Sequence, residues 1–528
     1  MPISRRGFLG LSAGFVLAAA CSGGGDDDDD ARRAASTTTT SLLPVPALES
    51  DPFTLGVASG DPAADGFVLW TRLALDPLAG GGMPTVDVPV RYMVATDDAM
   101  RDVVTDAVFV TGADIGHTVH AVVEGLDENR PYWYRFAVGD YETPIARTRT
   151  FAAPGSTPDR LRFGFASCQN FRDGYYTAWA DVAADEDLDL VVFLGDYIYE
   201  SGLEGNVRAH QIAEVVTLDD YRNQYALYRS DPLLRGAHAI APWLVTWDDH
   251  EVENNYQGTA PEAGSATPDP QQFLERRAAA YRAWWEHMPT RLAAPSGPDL
   301  DIYRSADFGD LARFHVLDTR QYRSDQPCST EDIGTLCDAA RDPSITLLGS
   351  EQEEWFLDSL TESDATWNVV AQQIVFSRLG FGAAEDPLFN LDQWDGYPGA
   401  RQRILDALGS DGVSNPVVIT GDIHTSGVSN VTADFEDPAA AVIAAEFVGT
   451  SITSDVPAVL LAAAPLALAL NPHIKWADAT RRGWVRCEVT PEQWRADYRL
   501  VDDALVEGSP VTTAKSWVIE AGGSVQEA

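Results

Sequence analysis

The sequence predicts a layered α/β domain preceded by a small β-sandwich. Three observations carry this expectation. Short alternating apolar runs fill the segment from Phe53 to Phe151. A Pro/Gly/Ser loop, Ala152 to Asp159, then ends that pattern. Beyond it, apolar strands alternate with long helical segments, the arrangement of a sheet buried on both faces.

The first segment reads as strands because hydrophobic and polar residues alternate with period two. GFVLWTRL (66–73), VPVRYMVAT (88–96), HTVHAVVEGL (117–126) and YWYRFAVG (132–139) are its clearest runs, spaced as in a small sandwich. In the second segment the strands are LRFGFASC (161–168), LDLVVFLGD (188–196), HAIAPWLVTWDDHE (238–251), FGDLARFHVLDTR (308–320), ATWNVVAQQIVF (365–376) and NPVVITGDIHTS (415–426). Helices are expected over 174–185, 271–288, 349–360 and 397–408. The predicted domains are 52–152 for the sandwich and 160–510 for the α/β domain. Residues 511–528 read as one more strand and a loose tail.

The N-terminus reads as an address. Arg5 and Arg6 in SRRGFLG precede an apolar stretch from Phe8 to Ala20. This order resembles a twin-arginine export signal over residues 1–21, implying the matching export machinery as a partner. Cys21 follows Ala18, Ala19 and Ala20, so lipidation at Cys21 and ordinary cleavage after Ala20 both fit; either leaves the protein exported, on the cell surface, in the periplasm or outside. Residues 22–51, with a run of Asp (26–30) and of Thr (37–40), read as a disordered tether. Val456 to Leu470 is apolar but short and carries Pro457 and Pro465, which favours a buried helix over a membrane span. Cys328 and Cys337, in a polar loop, are a plausible disulfide outside the cell, whereas Cys487 reads as a small buried hydrophobe.

The net charge of −43 argues against a nucleic-acid-binding module, since such a surface repels phosphates, and leaves only a nuclease acting on exposed ends open. It does not argue against a phosphate-ester substrate, because bound cations invert the local field.

The chemistry gathers at four strand ends, where α/β sheets place their ligands. SCQN offers Cys168. GDYIYE offers Asp196 and Tyr199. WDDHEVENN offers Asp248, Asp249, His250, Glu251 and Asn254. GDIHTS offers Asp422 and His424. Carboxylate, imidazole, phenolate and thiolate in one place make a metal site, with Asp196 able to bridge two ions. The sequence has neither a G-x-S-x-G nucleophile elbow before a helix nor a Gly-rich phosphate loop with a Lys.

These motifs, in this order, together with LDTRQYR (317–323), FTLGVASGDP (53–62), VLWTRL (68–73), DDYRNQYALYRSDPLLR (219–235) and QWDGYP (393–398), resemble the PhoD family of alkaline phosphatases and phosphodiesterases. The resemblance runs from Phe53 to Arg499. It implies a calcineurin-like metallophosphoesterase core behind a β-sandwich and a mixed site of Fe³⁺ and Ca²⁺. Carried over, Cys168, Asp196, Tyr199 and His424 would bind iron. Asp196, Asp249 and Asp422 would bind Ca²⁺, with Asn254 a weaker candidate. Relative to the wider superfamily, Cys168 replaces an Asp-x-His, Asp249 an Asn and Asp422 a His, which favours Ca²⁺ over Zn²⁺ or Mn²⁺.

The resemblance further implies catalytic roles for His250, Arg320 and Asp249. His250 would assist the leaving group. Arg320 would clamp a phosphoryl oxygen, with an ion pair to Asp318 or Asp325 as the competing reading. Gln372 or Gln373 would point into the site. The expected reaction is in-line attack of a metal-activated water on a phosphoryl centre. Two alternatives stay open: a phospholipase-D-like or teichoic-acid phosphodiesterase, and a non-catalytic, calcium-stabilised surface binding protein.

Overall fold

A computed structural model describes residues 44–528, apart from 330, 384, 438, 457–460 and 462–467. The expected export signal, most of the expected tether and much of the apolar run after Val456 lie outside the described residues. From Leu43 onward the chain forms one compact unit.

Two large sheets lie face to face. The first has ten strands, and its centre is the parallel trio Leu161–Ala166, Leu190–Phe193 and Trp243–Val245. The second has seven, centred on the parallel strands Ala312–Val316, Trp367–Ala371, Pro416–Thr420 and Val442–Val448. Phe163, Phe165 and Val192 of one sheet meet Phe314, Val369, Ile419 and Phe447 of the other in one buried cluster. The central strands are buried along their whole length, which is why they read as continuous apolar runs rather than alternating ones.

Helices cover the outer faces. Thr177–Ala183, Leu218–Arg229 and Pro270–His287 pack with the first sheet, and Gly349–Thr361 and Pro398–Leu408 with the second. Their starts are legible in the sequence. Thr217 and Asp220 form a reciprocal capping box, and Asp269 accepts from the amides of Gln271 and Gln272 with Pro270 at the first helical position. The helices expected over 271–288, 349–360 and 397–408 match to within one residue at each end. The one expected over 174–185 is shorter, Thr177–Ala183.

The loop at 152–159 separates two regions along the chain, yet the two regions share a sheet. Val57–Ala63 pairs with Trp243–Val245 through Gly60 and Trp243, so Val57–Ala63, Gly66–Arg72 and Thr118–Val123 extend the ten-stranded sheet. Their other face packs on a five-stranded sheet that includes Val88–Ala95, Val103–Thr111 and Pro131–Val138. Covering the edge of Trp243–Val245 removes an unpaired strand edge, and the two regions share a layer for that reason. A side chain at Gly60 would strike the carbonyl oxygens of Pro289 and Trp243, so only glycine permits this joint.

Residues 511–528 are not a loose tail. Val511–Glu520 pairs with Gln493–Val501 along its length, and Gln526–Glu527 closes the sheet beyond it. Trp517, Ile519 and Val525 are buried in the inter-sheet cluster. Buried Trp517 and Ile519 alternate with the more exposed Ser516, Val518 and Glu520, the pattern of a strand with one wet face. Trp517→Ala should therefore destabilise the fold by about 3–5 kcal/mol, which chemical denaturation followed by fluorescence measures; a change within error would mean the terminal strand is not part of the cooperative core.

Candidate functional site

The predicted strand ends converge at the C-terminal edges of the parallel strands. Cys168 follows Leu161–Ala166, Asp196 follows Leu190–Phe193, Asp248 and Asp249 follow Trp243–Val245, and Asp422 and His424 follow Pro416–Thr420. Three groups of donor atoms form there, each lying within 4.8 Å: Cys168, Asp196 and His424; Asp196, Asp249 and His250; Asp248, Asp249 and Asp422. Asp196 is common to the first two groups and Asp249 to the last two.

The backbone is bent to achieve this. Cys168, Asp196, Asp422 and His424 all have left-handed φ, between 55° and 64°. Such angles cost a residue with a Cβ roughly 1–2 kcal/mol, and their concentration at one set of strand ends is the mark of a functional site. The two Gly-Asp pairs serve the same end. A Cβ on Gly195 would collide with the backbone nitrogen of Asp248 at 2.5 Å, and one on Gly421 would meet Oγ of Ser167 at 2.3 Å. Glycine lets the ligand loops touch.

Glu251 ties those loops together. Its buried carboxylate accepts from the amides of Asp196 (3.0 Å), Tyr197 (2.6 Å) and Asp248 (2.9 Å). Burial pushes its pKa up to about 7, against the pull of those amides. On the other side, Ser454 donates to the carbonyl of Cys168 (2.8 Å) and contacts the Tyr199 hydroxyl (2.8 Å). That hydroxyl lies 3.1 Å from Asp196 Oδ2 and 3.2 Å from His424 Nε2. His424 Nδ1 is fixed by the carbonyl of Asp455 at 2.6 Å, which leaves Nε2 facing the cluster.

Charge is crowded here. Burial, aggravated by Asp249 and Asp392 and opposed by Arg320, pushes Asp422 up to about 6. Burial and the Asp196 and Asp422 carboxylates push the Cys168 thiol up, and burial pulls His424 down to about 4. Oδ1 of Asp196, Oδ2 of Asp248 and Oδ1 of Asp249 are buried without a hydrogen-bond partner. Buried carboxylate oxygens left bare are costly unless a cation meets them, so the donor set fits metal ions.

The structure sorts the predicted residues. Cys168, Asp196, Tyr199, Asp249, Asp422, His424 and His250 come together. Asn254 turns aside: its side chain donates to Glu262 at 3.2 Å. Its neighbour Asn255 instead donates its backbone amide to Asp249 Oδ2 at 2.6 Å. Gln372 and Gln373 are both absorbed by the interior, Gln372 by Thr420 and Trp394 and Gln373 by Thr246, Leu317 and Thr319. The side-chain amide at the cluster is that of Gln393, which donates to Asp422 Oδ2 at 2.7 Å.

Arg320 does not form the ion pair expected with Asp318 or Asp325. Its guanidinium is fully buried and pairs with Asp248 through Nε and with Asp392 through Nη1 at 2.8 Å. Nη2 alone remains, 3.7 Å from both Asp249 and Asp422. Asp318 accepts from the backbone amides of Arg320 and Gln321 and from the Gln321 side chain, not from the guanidinium. The residue is a counter-charge that holds acids in place, because five donors buried among carboxylates are drawn to them before any substrate arrives.

His250 is held by a residue that the sequence reading passed over. Glu200, buried, lies 2.7 Å from His250 Nδ1, and the imidazole rests on the Tyr199 ring at 4.1 Å. Burial alone would lower the His250 pKa, but Glu200, Asp249 and Asp196 outweigh it and raise it well above its usual value. Glu200 closes the GDYIYE motif, Glu251 lies in WDDHE and Gln393 opens QWDGYP, so each stood in a motif already singled out. Ser454 and Asp392 carried no local signal.

Comparison with known proteins agrees with this geometry. Residues 163–498 match the PhoD-like phosphatase family and residues 37–152 its N-terminal domain. The chain belongs to the PhoD-like phosphatases. It is 48% identical over 483 residues to alkaline phosphatase D of Bacillus subtilis (strain 168), covering 90% of this chain and 82% of that protein. The solved structure of PhoD superposes with a TM-score of 0.87 at 46% identity, over 92% of this chain and 93% of that one. Membership in the PhoD-like phosphatases makes the chain a hydrolase of phosphoric esters, and the strand-end cluster is the chemistry that this fold presents.

Two substitutions test the roles given above. Glu200→Gln should lower kcat by about 100-fold with KM little changed, as expected if Glu200 orients the proton donor; steady-state kinetics against Glu200→Asp checks it, and a change confined to KM would contradict it. Arg320→Met should cost about 3–5 kcal/mol of stability by stranding Asp248 and Asp392, read from thermal unfolding; full stability with raised KM would restore the phosphate-clamp role.

Proposed function

We propose that the protein is an exported, metal-dependent phosphoesterase of the calcineurin-like type that uses Fe³⁺ and Ca²⁺ and hydrolyses phosphomonoesters, phosphodiesters or both. The observation that carries this reading is the division of donors at the strand ends. Cys168, Asp196 and His424, with the Tyr199 hydroxyl beside them, offer sulfur, imidazole and phenol, a set suited to a ferric ion. Asp248, Asp249 and Asp422 offer oxygen alone, as Ca²⁺ prefers. Asp196 lies between the two sets. The two face-to-face sheets with helices on their outer faces are what a metallophosphoesterase core requires. Bound there, such ions acidify a water and offset the charge that develops on a phosphoryl oxygen.

The chain's own residues supply the rest. His250, protonated because Glu200 and the neighbouring aspartates favour its charged form, presents Nε2 to the leaving-group oxygen and delivers a proton as the ester bond breaks. Glu200 fixes the ring. Arg320 keeps Asp248 and Asp392 from recoiling, and Glu251 and Ser454 hold the ligand loops in register. The substrate's negative charge then meets a site whose acids are already neutralised, despite the acidic surface.

Export rests on the Arg5–Arg6 signal, through the twin-arginine machinery, with Cys21 as a lipid attachment point or Ala20 as an ordinary cleavage site. Among the described residues no helix is long and apolar enough to cross a membrane, and a lipid on Cys21 would give the protein a membrane anchor. A mature protein free of export leader, analysed for metals, should contain iron and calcium, and a calcium chelator should abolish hydrolysis of 4-nitrophenyl phosphate and bis(4-nitrophenyl) phosphate. Cys168→Ser should lose iron while retaining calcium. Zinc or manganese with no iron would overturn the metal assignment, and no turnover after both ions are supplied would overturn the enzymatic reading.

A further inference from the structure

Beside the donor cluster lies an apolar cavity that neither the metals nor the proton transfer uses. It measures about 90 Å³ and is walled by Val375, Leu379, Phe381, Ile423, Ile474 and Ala477. Its inner end is part of the site itself. Ile423 stands between Asp422 and His424, and Gln393, which also lines the cavity, is the residue that donates to Asp422 Oδ2.

The charged groups in its wall are committed elsewhere, and the buried hydroxyls of Ser377 and Ser426 are its unpartnered polar atoms. Asp395 is taken by Arg401 at 2.7 Å and by the Leu379 amide at 2.8 Å. The Arg378 guanidinium lies over the Phe389 ring at 4.9 Å. What faces the space is hydrocarbon, and most of it is only half-buried: Leu379, Phe381, Ile423, Ile474 and Ala477 all retain contact with solvent. A chain with so acidic a surface has little reason to leave apolar side chains half-covered next to its most polar cluster. Ligand sites in enzymes have this composition, hydrocarbon walls with a few convergent polar groups at one end.

We infer that this cavity is a subsite for an apolar substituent of the phosphoryl group, a short alkyl chain or the edge of an aromatic ring. The inference rests on the phosphoesterase reading and deepens it by naming a substrate class. An ester whose phosphoryl group lies at Asp422 and His424 would carry its organic substituent past Gln393 into the space beyond Ile423. Purely polar substituents would leave those walls wet, so the subsite selects for hydrocarbon next to the phosphate.

Equilibrium binding tests this without relying on turnover. Methyl-, ethyl-, propyl- and butylphosphonate, which keep the substituent and cannot be hydrolysed, are titrated calorimetrically into the metal-replete protein. Each added methylene should tighten Kd by about fourfold, levelling off once the cavity is full. Ala477→Phe, which fills the cavity, should bring the butyl-to-methyl ratio towards one, with Ala477→Val between. Equal Kd for methyl- and butylphosphonate in the unaltered protein would overturn the subsite whether or not the variants fold, as would a ratio unmoved by a folded Ala477→Phe protein, or no binding by any phosphonate. In parallel, methyl and butyl 4-nitrophenyl phosphate diesters and 4-nitrophenyl phosphate are assayed for hydrolysis. Failure to hydrolyse any of them would overturn the phosphoesterase reading, while the phosphonate series alone would still judge the cavity.

Discussion

Arg320 is buried among acids, and much of the site is arranged around that fact. Its guanidinium holds Asp248 and Asp392 directly and lies 3.7 Å from Asp249 and Asp422. Arg323 adds a second contact to Asp392 at 2.6 Å. Without this internal cation the carboxylates at the strand ends would repel one another in a medium too dry to screen them. With it they remain close, short of neutrality by an amount that metal ions can make up. The unpartnered oxygens of Asp196, Asp248 and Asp249 mark where that deficit lies.

The same cluster explains where the fold accepts strain. Left-handed backbone at Cys168, Asp196, Asp422 and His424 turns each donor out of its strand and towards the others. Glu251 offsets part of the cost by accepting amides from the bent Asp196 loop and from Asp248 beside it, and Gly195 and Gly421 remove the atoms that would keep the loops apart. The parallel strands beneath are buried on both faces and supply the rigidity against which such bends can be held. Catalytic geometry is thus set by the sheet, and the side chains that refine it (Glu200 on His250, the Asp455 carbonyl on His424, Gln393 on Asp422) reach in from neighbouring loops.

The N-terminal region contributes to this rigidity rather than standing apart. By pairing at Gly60 with Trp243–Val245, the strand that leads into Asp248 and Asp249, it covers an edge that would otherwise be open beside the donor cluster. At the other end of the same sheet, Val511–Glu520 and Gln526–Glu527 continue the cover. The loop carrying Cys328 and Cys337, which form a disulfide with Cα atoms 5.5 Å apart, also borders the site. Asp332 in that loop accepts from Asn255, the residue whose amide binds Asp249.

By itself the sequence determined the class of fold and most of the residues that gather at the strand ends. Buried parallel strands must be apolar throughout, and their polar ends then stand out, so SCQN, GDYIYE, WDDHE and GDIHTS were legible as a site before any geometry was known. Helix starts at Thr217 and Asp269 were equally open to reading, because a cap is a contact over two or three residues. The tertiary structure alone decided which polar groups serve the site and which serve the core. Gln372 and Gln373 look like functional residues in the chain, yet their side chains are taken up by the interior, and the Asn254 side chain donates to Glu262. Glu200 and Gln393 look like bystanders, yet they reach His250 and Asp422. The reason is physical: a residue's type fixes what it can donate or accept, but its partner across 50 or 70 residues is chosen by how two sheets and their loops pack, and no local pattern records that choice.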